Sequence, residues 1–233
     1  QVLNAMNRQL WLDLQSALAD AHEDDAIKVL VITGEGRAFS TGADLKESKT
    51  RSIEDYRRYL EALQEVSREV IRYEKPTIAA INGYAVGSGY ELALACDLRV
   101  AAEDAQIGSP EAKVTSSVTG GAFRLLQDLV GPGKARELLF TGEYINGREA
   151  ERIGLVNTAV PAANLIPVVT EMAAKIAANS AFSLKMIKKG LQLAAGEASL
   201  EALMAYEVEA CLACVSTKER QTSLDDFARR KEG

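Results

Sequence analysis

The chain has 233 residues, of which 47% are hydrophobic and 26% are charged, a balance typical of a globular protein with a sizeable core. Acidic side chains outnumber Lys and Arg by 33 to 27, and the net charge of −6 comes without a basic stripe, which argues against nucleic acid as a partner. No apolar run reaches the roughly 18 residues of a membrane span, and no signal-like segment opens the sequence. We therefore expect no membrane insertion and a location in the cytoplasm or in an organelle matrix.

Histidine and cysteine limit the possible chemistry. His22 is the only histidine and lies in a polar, acidic stretch, so sites that need imidazole, such as Ser-His-Asp triads and most zinc sites, are disfavoured. Cys211 and Cys214 form a C-x-x-C pair, which admits a redox or metal interpretation. Their helical spacing with Leu200, Met204, Val208 and Val215 favours a buried apolar stripe instead. We expect no metal, and chemistry based on carboxylates and backbone dipoles.

Helices and strands alternate over the first 110 residues. An apolar period from Leu3 to Leu18 predicts a helix that ends near Asp24, and the β-branched run 29–33 predicts a buried strand. Ser52 begins a capping-box pattern for a second helix. Strands are predicted next at 77–81 and 98–101, with a short helical run at 91–96 between them. This order predicts an α/β core of parallel strands with crossover helices.

The second part of the chain is mainly helical. Beyond the Gly-Pro-Gly segment at 131–133, almost everything except 155–160 has helical periodicity, and Pro161 closes that exception. We therefore place a boundary near residue 161, between a core of residues 1–161 and a helical region of residues 162–233. This helical region is too thin to bury its own apolar stripes, so we expect it to pack on the core or on a neighbouring subunit.

Two loops that follow predicted strands are candidate ligand sites. Residues 37–45, RAFSTGADL, combine small side chains that would let a ligand approach the backbone, although an ordinary connection fits this segment equally well. Residues 82–93, NGYAVGSGYELA, lead from a strand through glycines into a helix, whose free N–H groups favour an anion. Leu92 stands where a dinucleotide motif has its third glycine, so a small oxyanion is the better ligand.

Two acidic residues could divide acid and base roles. Glu91 lies in the helical run, Glu111 follows in 107–111, IGSPE, and the two are 20 residues apart. Two carboxyl groups near one water can act as acid and base when their environments separate their pKa values. Taken singly, each is more typical of a solvated or capping side chain. The apolar neighbours of Glu91 make an unpaired, merely structural acid costly there.

Together these segments resemble the enoyl-CoA hydratase/isomerase, or crotonase, superfamily over essentially the whole chain. Residues 36–47, GRAFSTGADLKE, resemble its first oxyanion motif, and 82–92, NGYAVGSGYEL, its second. Residues 142–150, GEYINGREA, and 154–157, GLVN, complete the similarity. The resemblance implies a spiral core of repeated ββα units with a C-terminal helical region.

The resemblance also implies a site. The backbone N–H groups of Ala43 and Ser88 would form an oxyanion hole for a thioester oxygen, with Ser88 standing where the family usually has glycine. Glu91 would activate water and Glu111 would deliver the proton to C2. Contacts to the acyl-CoA substrate would come from Arg37, Ala38, Ser40, Ala43, Asp44, Leu45, Lys46 and Gly87.

The implied activity is reversible hydration of a 2-enoyl-CoA, with coenzyme A entering as part of the substrate and no separate cofactor. The family forms homotrimers that often pair into hexamers. Isomerisation, a hydratase-lyase or dehydratase reaction on a branched, cyclic or aromatic acyl-CoA, and a catalytically silent scaffold stay open as alternatives. After the second acid, residues 113–121, KVTSSVTGG, replace a Gly-Pro-rich loop about one residue longer in typical short-chain hydratases. Because that loop borders the acyl pocket in the family, substrate choice depends on it.

Overall fold

The computed structural model describes residues 3–43, 52–196 and 200–215. Asp44, Leu45 and Lys46, which are predicted substrate contacts, lie outside the described residues. The elements of the first half are α1 (Arg8–Glu23), β1 (Leu30–Thr33), β2 (Ala38–Ser40), α2 (Ile53–Arg72), β3 (Thr77–Ile81), β4 (Tyr84–Val86), α3 (Ser88–Ala95), β5 (Leu98–Ala102) and β6 (Ile107–Gly108). The second half contains α4 (Ala122–Thr141), α5 (Gly147–Arg152), β7 (Thr158–Val160), α6 (Leu165–Ala177), α7 (Ala181–Ala194) and α8 (Leu200–Val215).

The strands form two parallel sheets. One has the order β1-β3-β5-β7 and the other the order β2-β4-β6, so the two strands of each successive pair enter different sheets. Each pair is followed by a helix, with α2 after β1 and β2, α3 after β3 and β4, and α4 after β5 and β6. The predicted α/β fold is therefore confirmed, and the chain winds through repeated ββα units.

Local sequence signals account for the main helices. The side chain of Asn7 accepts a hydrogen bond from the Leu10 N–H at the start of α1, and Ser52 caps α2 through the Asp55 N–H. Leu63, Val66 and Val70 lie on the buried face of α2, as their spacing predicts. Helix α3 begins at Ser88 and is buried along its whole length between α2 and α4.

Three expectations need correction. Strand β1 is not fully buried, because it lies at the edge of the four-stranded sheet and leaves Val31 38% exposed. The first helix begins at Arg8 and not at Leu3, since Leu3 has φ 44° and Met6 forms a parallel β-bridge with Ala43. Met204 and Val208 of the predicted buried stripe are 56% and 58% exposed in the single chain. The division of the chain near residue 161 stays a prediction.

No helix in the described ranges is both long enough and apolar enough to cross a membrane. His22 is exposed, as expected, and Cys96 is a buried free thiol. The side chains of Cys211 and Cys214 lie outside the described part of the chain.

A buried lysine fixes α7 to the core. Lys188 is 6% exposed, and its Nζ lies 2.6 Å from Asp97 Oδ2 and 3.0 Å from the carbonyl oxygen of Lys75. The same carboxylate oxygen accepts hydrogen bonds from the N–H and hydroxyl groups of Thr77, at 2.7 and 2.9 Å. The pair therefore joins α7 to the loop before β5 and to the start of β3.

We predict that Lys188→Met lowers the free energy of unfolding by about 2 kcal/mol, because Asp97 loses its countercharge. Losing one partner of a fully buried pair costs about 3–5 kcal/mol, and the 34% exposure of the Asp97 side chain reduces the loss. Lys185→Met is the matched control on the same helix, since its pair with Glu74 is 44% and 46% exposed and is expected to contribute about 0–1 kcal/mol. Urea denaturation measures both variants, and equal losses would contradict the assignment.

Candidate active site

The first motif meets the second through a glycine. Strand β2 ends at Ser40, and Gly42 has φ 78°, a left-handed conformation that favours glycine. A Cβ on Gly42 would lie 2.5 Å from the Val86 carbonyl oxygen and 3.0 Å from the Ser88 nitrogen. The close approach therefore excludes any side chain at residue 42, and it brings the Ala43 peptide next to the start of α3.

Two backbone amides are open at this junction. Ser88 is the first residue of α3, where an N–H has no acceptor within the helix. Within the described residues, neither the Ser88 N–H nor the Ala43 N–H has a hydrogen-bond acceptor. The two predicted oxyanion-hole residues thus lie on adjoining segments and each carries an available donor.

The side chain of Ser88 is also unpaired. Ser88 is 7% exposed, and its buried Oγ has no hydrogen-bond partner among the described residues. This oxygen lies 3.3 Å from the position that a Cβ on Gly42 would take. Serine therefore fits in the space between the two motifs without disturbing either backbone.

Glu91 lies one turn further along α3 and is 3% exposed. Its N–H donates to the carbonyl oxygen of Gly87 at 3.0 Å. Thr119 donates to both carboxylate oxygens, from its N–H to Oε1 at 2.6 Å and from its hydroxyl to Oε2 at 2.7 Å. Burial raises the Glu91 pKa above the ordinary value of 4.5, the Thr119 hydrogen bonds lower it, and the negative charge of Glu111 raises it further.

Glu111 begins a short 3-10 turn after β6 and is half-buried. Its Oε1 lies 2.8 Å from the position of a Cβ on Gly87, the residue that immediately precedes Ser88. Its Oε2 accepts a short hydrogen bond from the hydroxyl of Ser109. The Glu111 carboxylate is therefore next to the start of α3, where the Ser88 amide lies.

The other predicted substrate contacts are not gathered around the two glutamates. Ala38 is fully buried, and the Ser40 hydroxyl donates to the carbonyl oxygen of Asn4 at 2.8 Å. Arg37 is exposed and forms no ion pair with any described residue. Gly87, Ser88, Glu91 and Glu111 are brought together with Ala43, whereas the substrate contacts of Arg37, Ala38 and Ser40 stay predictions.

Two residues were not predicted as parts of the site. Thr119 bonds to Glu91, and the pKa of Tyr144 is raised by burial and then by the negative charge of Glu111. Thr119 falls in the segment 113–121, where the sequence departs from typical hydratases, and that departure was the signal that could have pointed to it. Tyr144 lies in the segment 142–150 that resembles the family, but nothing in its spacing from Glu111 links the two.

An open cavity of about 340 Å³ adjoins Glu111. Its walls come from the 3-10 turn, the residues on either side of it and α4. The apolar lining residues are Ala112, Val118, Phe123, Ala135, Leu139 and Phe140, and the polar ones are Ser109, Glu111, Ser116, Ser117, Gln127 and Arg136. The cavity therefore combines apolar side chains with polar groups, as ligand pockets commonly do.

The family model for enoyl-CoA hydratase/isomerase matches residues 1–233. A crotonyl-CoA hydratase of Syntrophomonas wolfei is 34% identical over 237 residues, covering 100% of this chain and 89% of that protein. A short-chain-enoyl-CoA hydratase of Clostridium acetobutylicum is 32% identical over 233 residues, with coverage of 100% and 89%.

Solved structures agree with this similarity. A crystal structure of an enoyl-CoA hydratase from Bacillus anthracis superposes with a TM-score of 0.94 at 34% identity, covering 98% of this chain and 89% of that one. An enoyl-CoA hydratase from Polaromonas gives a TM-score of 0.93 at 28% identity, covering 98% and 90%. The crotonase-like fold predicted from the motifs is confirmed, and the chain belongs to the enoyl-CoA hydratase/isomerase family.

Proposed function

We propose that this chain catalyses reversible addition of water to a 2-enoyl-CoA thioester, giving a 3-hydroxyacyl-CoA. One observation carries the proposal: two backbone amides without acceptors lie at the junction of the first motif with the start of α3, where Glu91 follows in the first turn and Glu111 Oε1 approaches Gly87. The names of the crotonyl-CoA and short-chain-enoyl-CoA hydratases among the relatives support the same reaction.

The proposed oxyanion hole uses the N–H groups of Ala43 and Ser88. As water adds to C3, negative charge develops on the thioester oxygen, and the intermediate acquires enolate character. Donors that the fold already holds in place stabilise this charge without reorganising, which is worth about 3 kcal/mol of barrier for each donor. The Ser88 amide has a further advantage, because it lies at the positive end of α3.

The two carboxyl groups divide the proton transfers. We assign water activation to Glu91, because a buried carboxylate with a raised pKa is a stronger base than an exposed one. We assign delivery of the proton at C2 to Glu111, which lies nearer Gly87 and the amide of Ser88. Between them they add H and OH across one double bond, and no separate cofactor is needed.

The substrate would lie across the site from the first motif to the cavity. The cavity beside Glu111 receives the acyl chain, because Glu111 lines it and Phe123, Leu139 and Phe140 supply apolar surface. Arg37 is exposed at the beginning of the first motif, where its guanidinium can meet the phosphates of coenzyme A. Lys46 has the same proposed role.

The proposed assembly is a homotrimer or a pair of trimers. Helices α7 and α8 leave large apolar side chains exposed in the single chain, including Ile187 at 59%, Leu191 at 66%, Met204 at 56% and Val208 at 58%. A surface of this kind favours contact with another subunit.

We predict that Glu91→Gln and Glu111→Gln each lower kcat for crotonyl-CoA hydration by about 10²- to 10⁴-fold, because each removes one acid or base group. Loss of the enoyl-thioester absorbance measures the rate. Glu171→Gln, on the surface of α6, is the matched control and is expected to keep wild-type activity. If the wild-type protein leaves crotonyl-CoA unchanged but converts a 3-enoyl-CoA, the result would contradict hydration and favour isomerisation. Unchanged turnover in Glu111→Gln would favour the scaffold alternative.

A second prediction tests the amide of Ser88. Proline is tolerated at the first position of a helix but has no N–H, so Ser88→Pro should lower kcat by about 10²- to 10³-fold. Ser88→Ala keeps the N–H and should stay within a few-fold of wild type. Circular dichroism checks that both variants fold. Folded Ser88→Pro protein with full activity would show that this amide is not a donor in the reaction.

A third prediction concerns the cavity. Leu139 lines the cavity, and Leu139→Trp reduces the cavity volume. The variant should therefore raise KM for a ten-carbon 2-enoyl-CoA by about tenfold or more, because a few methylenes of the acyl chain would no longer be buried. KM for crotonyl-CoA should change little, because its acyl group ends near Glu111. Equal effects on the short and long substrates would place the acyl chain elsewhere.

A further inference from the structure

The loop between the 3-10 turn and α4 crosses directly over Glu91. Thr119, in this loop, follows Glu91 by 28 residues, yet it contacts both carboxylate oxygens. One bond comes from the backbone and the other from the side chain. A single residue thus holds both oxygens of a buried acid, and rotation of the carboxylate would break at least one bond.

Thr119 is itself fixed by its neighbours. Its carbonyl oxygen accepts a hydrogen bond of 2.9 Å from the Ala122 N–H, at the start of α4. The next residue, Gly120, is buried, and a Cβ there would lie 2.7 Å from Ser67 Oγ and 3.2 Å from Glu91 Cβ. The loop therefore lies tightly between α2 and α3, and the position of Thr119 is set by packing on both sides.

The groups around Glu91 leave Thr119 as its principal polar partner. The charged group that acts on Glu91 from another element of the described chain is Glu111, and the charge is repulsive. Helix α2, which packs against α3, brings the buried Ser67 to this part of the core, next to Gly120. The adjoining turn of α4 brings the buried, apolar Ala122 and Leu126.

On the basis of the proposed hydratase function, we propose that Thr119 is a positioning residue, whose amide and hydroxyl hold the Glu91 carboxylate in one orientation toward the attacking water. An ionised carboxylate has about four lone-pair sites, two on each oxygen. After Thr119 occupies one site on each oxygen, each oxygen keeps another for water. The clamp therefore orients the base without blocking it.

The hydroxyl also affects ionisation. Hydrogen bonds to a carboxylate favour its charged form, so the Thr119 hydroxyl opposes the effect of burial on the Glu91 pKa. Removing it should raise that pKa further. The acidic limb of the kcat/KM profile, where the base becomes protonated, should then move to higher pH.

The test compares Thr119→Val with Thr119→Ser. Valine keeps the shape and the amide but lacks the hydroxyl, whereas serine keeps both donors. We expect Thr119→Val to lower kcat for crotonyl-CoA hydration by about tenfold to a hundredfold with little change in KM, because the base is less well oriented. Its acidic limb should shift upward, and Thr119→Ser should recover most of the rate and the wild-type profile.

Thr158→Val, a matched substitution on β7, is the control, and thermal unfolding checks that all variants fold. A Thr119→Val variant with the kcat and pH profile of Thr158→Val would overturn the proposal. So would a variant that loses stability and activity while its pH profile stays unchanged, because that pattern belongs to a structural role. If wild-type protein hydrates no enoyl-CoA, the proposed function fails first, so the two failures are distinguishable.

Discussion

The contact between Gly42 and the start of α3 is the constraint on which the site depends. A side chain at residue 42 would meet Val86 and the amide of Ser88, so the two segments approach only because residue 42 has no Cβ. The approach joins the end of β2 to the end of β4, which are neighbours in the three-stranded sheet. The N–H groups of Ala43 and Ser88, which are 45 residues apart in the sequence, thereby lie on adjoining segments, as the proposed oxyanion hole requires.

The burial of the Glu91 carboxylate is a second constraint, and it is electrostatic where the Gly42 contact is steric. An ionised carboxylate that is 3% exposed is unfavourable unless it is hydrogen-bonded, and its pKa is raised as a result. Glu91 is buried because α3 is enclosed by α2, α4 and the loop that carries Thr119, and the hydrogen bonds from Thr119 offset part of the cost of burying its charge. The burial that raises the pKa of Glu91 would also make it a stronger base in the proposed reaction, and perturbed pKa values of this kind cluster at functional sites. Glu111 is more accessible, so the two acids differ in environment although their chemistry is the same.

Sequence patterns predicted the larger helices and strands. The helical period of α2, that of α1 from Arg8 onward, and the strand at 77–81 depend on local signals, which survive in the fold. The strands of the smaller sheet were not predicted. β2, β4 and β6 have two or three residues each, and their existence depends on pairing with one another rather than on local propensity.

Other features could not be read from the sequence for reasons of long-range packing. Val31 is exposed because β1 lies at an edge, and strand order is not encoded in the strand itself. Met204 and Val208 follow a helical period, which predicts an apolar face of the helix but not the segment or subunit that packs against that face. The bonds from Thr119 to Glu91 join positions 28 residues apart through a loop without periodicity. In each case the deciding contact is with a segment far along the chain.

A crystal structure with bound acetoacetyl-CoA would test directly whether two main-chain donors converge on one substrate oxygen. This 3-oxoacyl thioester forms an enolate that resembles the proposed intermediate. We expect the thioester oxygen to lie about 2.7–3.1 Å from both the Ala43 and the Ser88 nitrogens. A thioester oxygen that contacts only one of these nitrogens, or neither, would contradict it.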